Sequence, residues 1–218
     1  MSSRRAVCGP ASTKERCKEF EWLLRKQPNS AATHMLMGEA LDGLGRAAGA
    51  IVEFQAAAAA SPTEPQVHFG LGYLFWKERR YDDAEGEFRR ELANDPSHAR
   101  AKAYLGDVLL RRDDAERARP LLEEARRLDP KIRIVHLDLG ILHAGRQEYE
   151  PATRELREAV RLDPSRADAH YRLAQVYQSL GRATEAKTEF AAVKRQHEKS
   201  NEDLVQQISG KPPRLEVP

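Results

Sequence analysis

Four of the seven histidines are spaced in a way that first suggests a metal site. They are separated by multiples of 34 residues, at His34, His68, His136 and His170. A zinc ion needs ligand nitrogens about 2 Å from a single centre. Helices that pack side by side lie about 8–10 Å apart, so equivalent side chains in successive helical copies do not converge on one ion. We therefore predict that these histidines mark a packing position and that the protein holds no metal.

Pairs of adjacent carboxylates are the other residues that could carry chemistry. Asp82-Asp83 and Asp113-Asp114 stand where helices are expected to begin, and the dipole of a helix favours negative charge at that end. The sequence has no glycine-rich phosphate loop, no nucleophile elbow and no Cys-x-x-Cys pair. We predict that the protein is not an enzyme and binds no cofactor.

The composition of the chain limits which kinds of partner and which compartment we expect for the protein. The 36 Lys and Arg residues nearly balance the 34 Asp and Glu residues, whereas a nucleic-acid surface needs a pronounced basic patch. No apolar run approaches the roughly 18 residues of a membrane span. Arg4-Arg5 is not followed by the apolar stretch of a signal peptide, and Cys8 and Cys17 do not form a disulfide framework. We predict a cytoplasmic protein without nucleic-acid binding or membrane insertion.

The elements that would position these side chains recur at 34-residue steps, which is the mark of a repeat architecture. Four kinds of position agree over five copies: a closing proline, a small residue, an alanine and a bulky apolar residue. In order, they are Pro28, Pro62, Pro96, Pro130 and Pro164; Gly38, Gly72, Gly106, Gly140 and Ala174; Ala50, Ala84, Ala118, Ala152 and Ala186; and Phe54, Phe88, Leu122, Leu156 and Phe190.

Each copy is expected to form two antiparallel helices. Apolar residues recur at helical spacing within a copy, as in Leu71, Leu74 and Phe75. Small residues let the two helices approach, and bulky residues fill the space beside them. The closing proline ends the second helix, because it lacks an amide donor and disfavours helical conformation in the residue before it.

The pattern Leu71-Gly72, Ala84, Phe88, Pro96 resembles the tetratricopeptide repeat (TPR) family. The resemblance implies an all-α fold, a right-handed superhelical solenoid of antiparallel helix pairs, with about five repeats and capping helices at both ends. The predicted repeats are residues 31–64, 65–98, 99–132, 133–166 and 167–200.

The ends of the chain are predicted separately. Residues 1–11 are expected to be a disordered tail, and residues 12–28 a half-repeat helix that caps the first repeat. A capping box at Ser200–Asp203 predicts a C-terminal capping helix over 201–210, followed by a tail over 211–218. The total is about twelve helices.

In the family, the first helices of the repeats line a concave groove that holds a peptide. The resemblance places twelve residues of this chain in or beside that groove. They are Gln66, Phe69, Tyr73, Trp76, Arg100, Asp107, Leu110, Arg111, Leu137, Ile141, Tyr171 and Gln175.

Phe69, Tyr73 and Trp76 lie on one helix face, at i, i+4 and i+7. Such a stripe is usually core, but Leu71 and Phe75 belong to a second stripe that already supplies a buried face. The aromatic stripe therefore has two interpretations: apolar anchors in a binding groove, or packing between repeats. An exposed apolar patch would indicate a contact site.

These observations predict a non-catalytic scaffold or adaptor that binds a peptide or protein segment in the groove. Tyr73 and Trp76 would be apolar anchors, and Arg100, Asp107 and Arg111 would orient the ligand. Two alternatives stay open: a self-associating structural module, and a regulatory subunit of a larger enzyme complex. Fold alone does not decide among them.

Overall fold

The computed structural model describes residues 13–209, and eleven α-helices occupy this part of the chain without any β-strand. The prediction of an all-α fold is confirmed. None of these helices is both long and apolar enough to cross a membrane. The predicted tails at 1–11 and 211–218 lie outside the described residues. The helices are α1 Thr13–Lys26, α2 Ala31–Gly43, α3 Ala47–Ala60, α4 Val67–Lys77, α5 Tyr81–Asn94, α6 Ala99–Arg111, α7 Ala115–Leu128, α8 Arg133–Gly145, α9 Tyr149–Leu162, α10 Ala167–Ser179 and α11 Ala183–Ser209.

The chain divides into two compact units, Met1–Arg112 and Asp113–Pro218. Unit 1 contains α1 to α6, with the pairs α2–α3 and α4–α5. Unit 2 contains α7 to α11, with the pairs α8–α9 and α10–α11. Within each pair, the two helices are joined by a short turn and pack against each other. The helices of the third predicted repeat, α6 and α7, belong to different units.

A close approach between the two helices of a pair explains the series of small residues. A Cβ atom at Gly72 would lie 2.8 Å from the ring of Phe88, and one at Gly140 would lie 2.6 Å from Leu156. Any side chain at these positions would push the helices apart. Phe88 and Leu156 are fully buried, and burial of a side chain of this size contributes about 1.5–3 kcal/mol.

The four equivalent histidines bind the helix pairs together. In each case Nδ1 lies 2.6–2.7 Å from a carboxylate oxygen of a glutamate 19 residues later. In three cases Nε2 also donates to the carbonyl oxygen of the proline six residues earlier, at 2.8–3.2 Å. We call each arrangement a histidine clamp. The pairs are His34–Glu53, His68–Glu87, His136–Glu155 and His170–Glu189, and the prolines are Pro28, Pro130 and Pro164.

In the clamp of unit 2 that starts from His136, both ring nitrogens face acceptors, which suits the doubly protonated ring. Burial by itself would lower the pKa of His136, but the hydrogen bonds to Glu155 and to the Pro130 carbonyl outweigh burial, so the pKa is raised. For Glu155, burial acts to raise the pKa. The hydrogen bond to His136 and the charge of Arg126 outweigh burial, so the pKa is lowered.

These shifts fix the pH range in which the clamp stabilises the fold. The contribution of His136 is present below its unfolded-state pKa and is lost as pH rises through its raised folded-state pKa. The contribution of Glu155 is present above its unfolded-state pKa and is lost as pH falls through its lowered folded-state pKa. The clamp is therefore strongest at about pH 5–6.

We expect His136→Gln to lower the free energy of unfolding by about 1–3 kcal/mol at about pH 5.5 and by less at about pH 8.5. The difference in unfolding free energy between the wild type and His136→Gln narrows because the wild type loses its own clamp as pH rises. Urea unfolding followed by circular dichroism measures both values. His197→Gln, which removes an exposed histidine of α11, is the matched control. Equal pH dependence of the two variants would contradict the assignment.

The buried carboxylate of Glu91 caps the N-terminus of α4. Pro65 stands where the other first helices begin, and α4 starts only at Val67, after Gln66 in the left-handed conformation with φ of 67°. The N–H groups of Gln66 and Phe69 donate to the two carboxylate oxygens of Glu91, at 3.1 and 3.0 Å. Glu91 is only 2% exposed. The N–H groups at the start of the helix and the positive end of the helix dipole stabilise the negative charge of Glu91.

We expect Glu91→Ala to lower the free energy of unfolding by about 1–3 kcal/mol, because it leaves the buried N–H group of Phe69 and the part-buried N–H group of Gln66 without their acceptor. Glu91→Gln should cost less, since its amide oxygen still accepts one of the two bonds. Urea unfolding gives both values, with Glu78→Ala, an exposed change in the same helix pair, as control. Alanine occupies this position at Ala57 and Ala125, so an unchanged Glu91→Ala variant would show that the cap contributes nothing.

The C-terminal region differs from the prediction. The predicted break at residue 200 and the separate capping helix over 201–210 do not occur, because α11 runs without interruption from Ala183 to Ser209. Glu198 stands where a closing proline would be and keeps its amide donor. Leu204 and Val205, predicted to cover the last repeat, are 54% and 63% exposed.

Candidate functional site

The first helices of unit 1 lie side by side and present one continuous surface. α4 contacts α2 on one side and α6 on the other. We call the surface formed by these three helices the first-helix face of unit 1. It carries eight of the twelve predicted site residues, from Gln66 to Arg111.

The aromatic stripe of α4 is part of a larger aromatic cluster. The ring of Tyr104 on α6 stands edge-on to Phe69, Tyr73 and Trp76, with centroids 5.9, 5.3 and 5.0 Å away. Phe69 also packs against Phe88 and is only 7% exposed. For Phe69 these contacts favour packing between repeats. Tyr73 and Trp76 are half-buried and keep part of their rings at the surface.

The carboxylate of Asp107 accepts hydrogen bonds from two side chains at the edge of this cluster. Its Oδ2 atom accepts from Trp76 Nε1 at 2.5 Å and from Arg111 Nε at 2.6 Å. Arg111 also lies over the rings of Trp76 and Tyr81, at 5.9 and 5.4 Å. Asp107 is only 3% exposed. Its carboxylate therefore fixes the orientation of neighbouring side chains and is not itself open to a ligand.

A cavity of about 300 Å³ lies beside the cluster, between α2 and α4. We call it the inner cavity. Gly70 is part of its lining and packs closely on the ring of Phe54, since a Cβ at this position would lie 2.2 Å from that ring. One copy later the equivalent residue is Tyr104, whose ring fills the corresponding space between α4 and α6. The side chains that line the inner cavity include Met35, Glu39, Asp42, Gln66, Phe69, Tyr73 and Arg100.

The inner cavity has charges of opposite sign at its two sides. Arg100 donates to Gln66 Oε1 at 2.9 Å and stacks over Phe69 at 4.6 Å. Neither partner is a carboxylate, so no contact among the described residues neutralises the positive charge of Arg100. On the α2 side, Asp42 accepts from Lys77 at 2.5 Å. Glu39 is exposed, and its carboxylate has no partner within residues 13–209.

The other predicted residues fall in two places. On α6, Leu110 is half-buried. In unit 2, Leu137 is buried in the core with 9% exposure, and Ile141 and Gln175 are half-buried. Tyr171 is 44% exposed and stands edge-on to Phe190 at 6.0 Å.

Unit 2 has its own cavity of about 300 Å³, between α8 and α10. Its lining repeats that of the inner cavity in 34-residue register, with different chemistry. Ile141 stands at the position of Glu39, Arg172 at that of Gly70, and Gln175 at that of Tyr73. This cavity has no acidic lining residue, so the opposed charges are a property of the inner cavity of unit 1.

Sequence reasoning missed two features of the site. Gly70 and Tyr104 occupy the same repeat position, and this change brings a large ring to the contact between α4 and α6 that is missing from the contact between α2 and α4. The burial of Asp107 against Trp76 left no signal in the sequence. Within residues 13–209, no three histidine, cysteine or acidic side chains gather as a metal site would require.

Family models match most of the chain. A model described as a tetratricopeptide repeat matches residues 18–65 and 69–131, a TPR repeat model matches 145–181, and another tetratricopeptide model matches 168–200. The chain belongs to the tetratricopeptide repeat family. No curated protein sequence matches it significantly.

Solved structures of TPR proteins share the fold. YrrB, described as a TPR protein with an unusual peptide-binding site, is 17% identical with a TM-score of 0.63, covering 83% of this chain and 93% of its own. TTC0263 of Thermus thermophilus is 24% identical with a TM-score of 0.63, over 83% and 98%. MamA of Desulfovibrio magneticus RS-1 is 21% identical with a TM-score of 0.62, over 78% and 96%. At these identities the likeness establishes the fold alone.

Proposed function

We propose that this TPR protein is a non-catalytic interaction scaffold, and that the first-helix face of unit 1 holds a segment of a partner protein. The observation that carries the proposal is the inner cavity, an open space with an apolar floor and uncompensated charges on both sides. Its volume of about 300 Å³ suits one large side chain. We also retain the cytoplasm as the expected compartment.

Each part of the surface has a role in this proposal. Phe69 and Phe54 form the floor, and Tyr73 forms an amphipathic wall that contributes contact area at low entropic cost. Arg100 would receive an acidic group, because its planar guanidinium forms strong paired bonds with carboxylates. Glu39 would receive a basic group. Trp76 and Arg111, held by Asp107, would extend the surface along α6.

The neighbour YrrB gives limited support. It is described as having an unusual peptide-binding site, so a chain with this fold can bind a peptide. Sequence identity of 17% does not transfer the residues of that site. The inner cavity of this protein is therefore the main support for peptide binding.

We expect Tyr73→Ala and Arg100→Glu each to reduce partner capture from native lysate by at least about tenfold. The first removes a wall of the cavity, and the second reverses its only uncompensated positive charge. Quantitative mass spectrometry of the captured proteins measures the loss. Tyr171→Ala, an exposed tyrosine of unit 2, is the matched control, and thermal unfolding confirms that each variant is folded. Partners retained by both unit 1 variants would exclude this surface.

Self-association is a second candidate function, favoured by exposed apolar side chains on α1, α2 and α3. Trp22 is 56% exposed, Leu36 47% and Val52 61%. Exposed large apolar groups mark contact surfaces when they are contiguous.

If these residues form a contact between copies, the mass measured by light scattering should rise with protein concentration. A variant with Trp22→Ser and Val52→Ser should then remain monomeric over the same range. Leu204→Ser, a similarly exposed residue of α11, controls for the loss of apolar surface. A monomeric wild type at every concentration would rule out this candidate.

A further inference from the structure

Unit 1 has a second and larger cavity, of about 770 Å³. Its walls come from the second helices α3 and α5, and its floor comes from Leu71 and Phe75 on α4. We call it the outer cavity. It uses the face of α4 opposite to Phe69 and Tyr73, and it shares no lining residue with the inner cavity.

The outer cavity is open because α3 presents small side chains to it. Ala58 lines the wall, and two copies later the equivalent residue is Arg126. In unit 2, Arg126 crosses from α7 to α9 and donates to Glu155, the clamp glutamate equivalent to Glu87. The side chain that spans this space in unit 2 is therefore missing in unit 1.

The histidine clamp at the outer cavity is also incomplete. His68 lines the cavity and binds Glu87 through Nδ1 at 2.6 Å. In the other three clamps Nε2 donates to a proline carbonyl. The carbonyl of Pro62 instead accepts from Asn94 at 2.9 Å, and Nε2 of His68 has no hydrogen-bond partner among the described residues. His68 is only 7% exposed, but Nε2 is not among the buried unpartnered atoms of the described residues, so this atom opens into the cavity.

The ion pairs in the lining of the outer cavity leave hydrogen-bond donors of its two arginines unused. Arg80 pairs with Asp83, and Arg90 pairs with Glu87. Each guanidinium has five donors, and these two arginine side chains are 50% and 64% exposed. Their remaining donors can bind an additional acceptor. An oxygen acceptor with negative charge suits this set better than a cation does.

We propose that the outer cavity is a second binding site, which takes an acidic side chain of a partner protein together with an adjacent aliphatic side chain. The carboxylate would accept from the guanidinium groups of Arg80 and Arg90, beside the ring of His68. The aliphatic group would lie against Ala58, Leu71 and Phe75. This site does not depend on the first-helix face, so a partner can occupy either one alone.

The test uses a library of random heptapeptides displayed on phage and selected on the full chain. Ala58→Arg closes the cavity with the residue that unit 2 already carries at that position, so the fold should tolerate it. Ala48→Arg, an exposed change on the same helix outside the cavity, is the matched control for added charge. We expect selected peptides with Asp or Glu beside Leu, Ile or Val that lose at least about tenfold in affinity on Ala58→Arg and not on Ala48→Arg.

A spectroscopic measurement locates the bound peptide. In the protein labelled with ¹⁵N-histidine, titration with a selected peptide should shift the imidazole resonances of His68 and leave those of His136 and His170 in place. Tyr73→Ala should not change the affinity of these peptides, which separates the outer cavity from the inner one. The proposal is overturned if no acidic peptide depends on the open cavity, or if the His68 resonances do not move.

Discussion

The contact between a small residue on the first helix of a pair and a bulky residue on the second is the constraint on which the rest depends. At Gly72 and Phe88 the helices are so close that even a methyl group would overlap the ring. This approach places the histidine of one helix within 2.6–2.7 Å of the glutamate of the other. It also buries the bulky residue fully, so packing and hydrogen bonding support the same spacing.

Once the backbone geometry is fixed, differences between copies decide where the molecule is open. An open cavity lies between α2 and α4, whereas the ring of Tyr104 packs between α4 and α6, and Ala58 leaves a space that Arg126 crosses two copies later. Neither opening needs a change in the helices themselves. Function on such a scaffold therefore depends on the residues that depart from the repeat, while the residues that follow it maintain the fold.

The period of the prolines and the small residues was sufficient to predict the fold, because those residues act through local backbone and packing rules. The role of Phe69 was harder to predict, since a first helix contacts its partner and also the next first helix, and needs apolar residues on two faces. The bond between Trp76 and Asp107 joins residues 31 positions apart and leaves no pattern. The clamp glutamates were predictable: Glu53 and Glu87 recur with the histidines at the same period.

The buried Glu91 and the late start of α4 distinguish the second copy from the others. Where sibling copies carry alanine, this copy buries a carboxylate that matches a helix starting late, after Pro65. The two features depend on each other, because the buried Glu91 carboxylate needs these N–H donors and the Phe69 N–H group needs an acceptor. Joining the first helix of this copy to the second helix of another copy would therefore leave one of these groups without its partner and lower the stability of the fold.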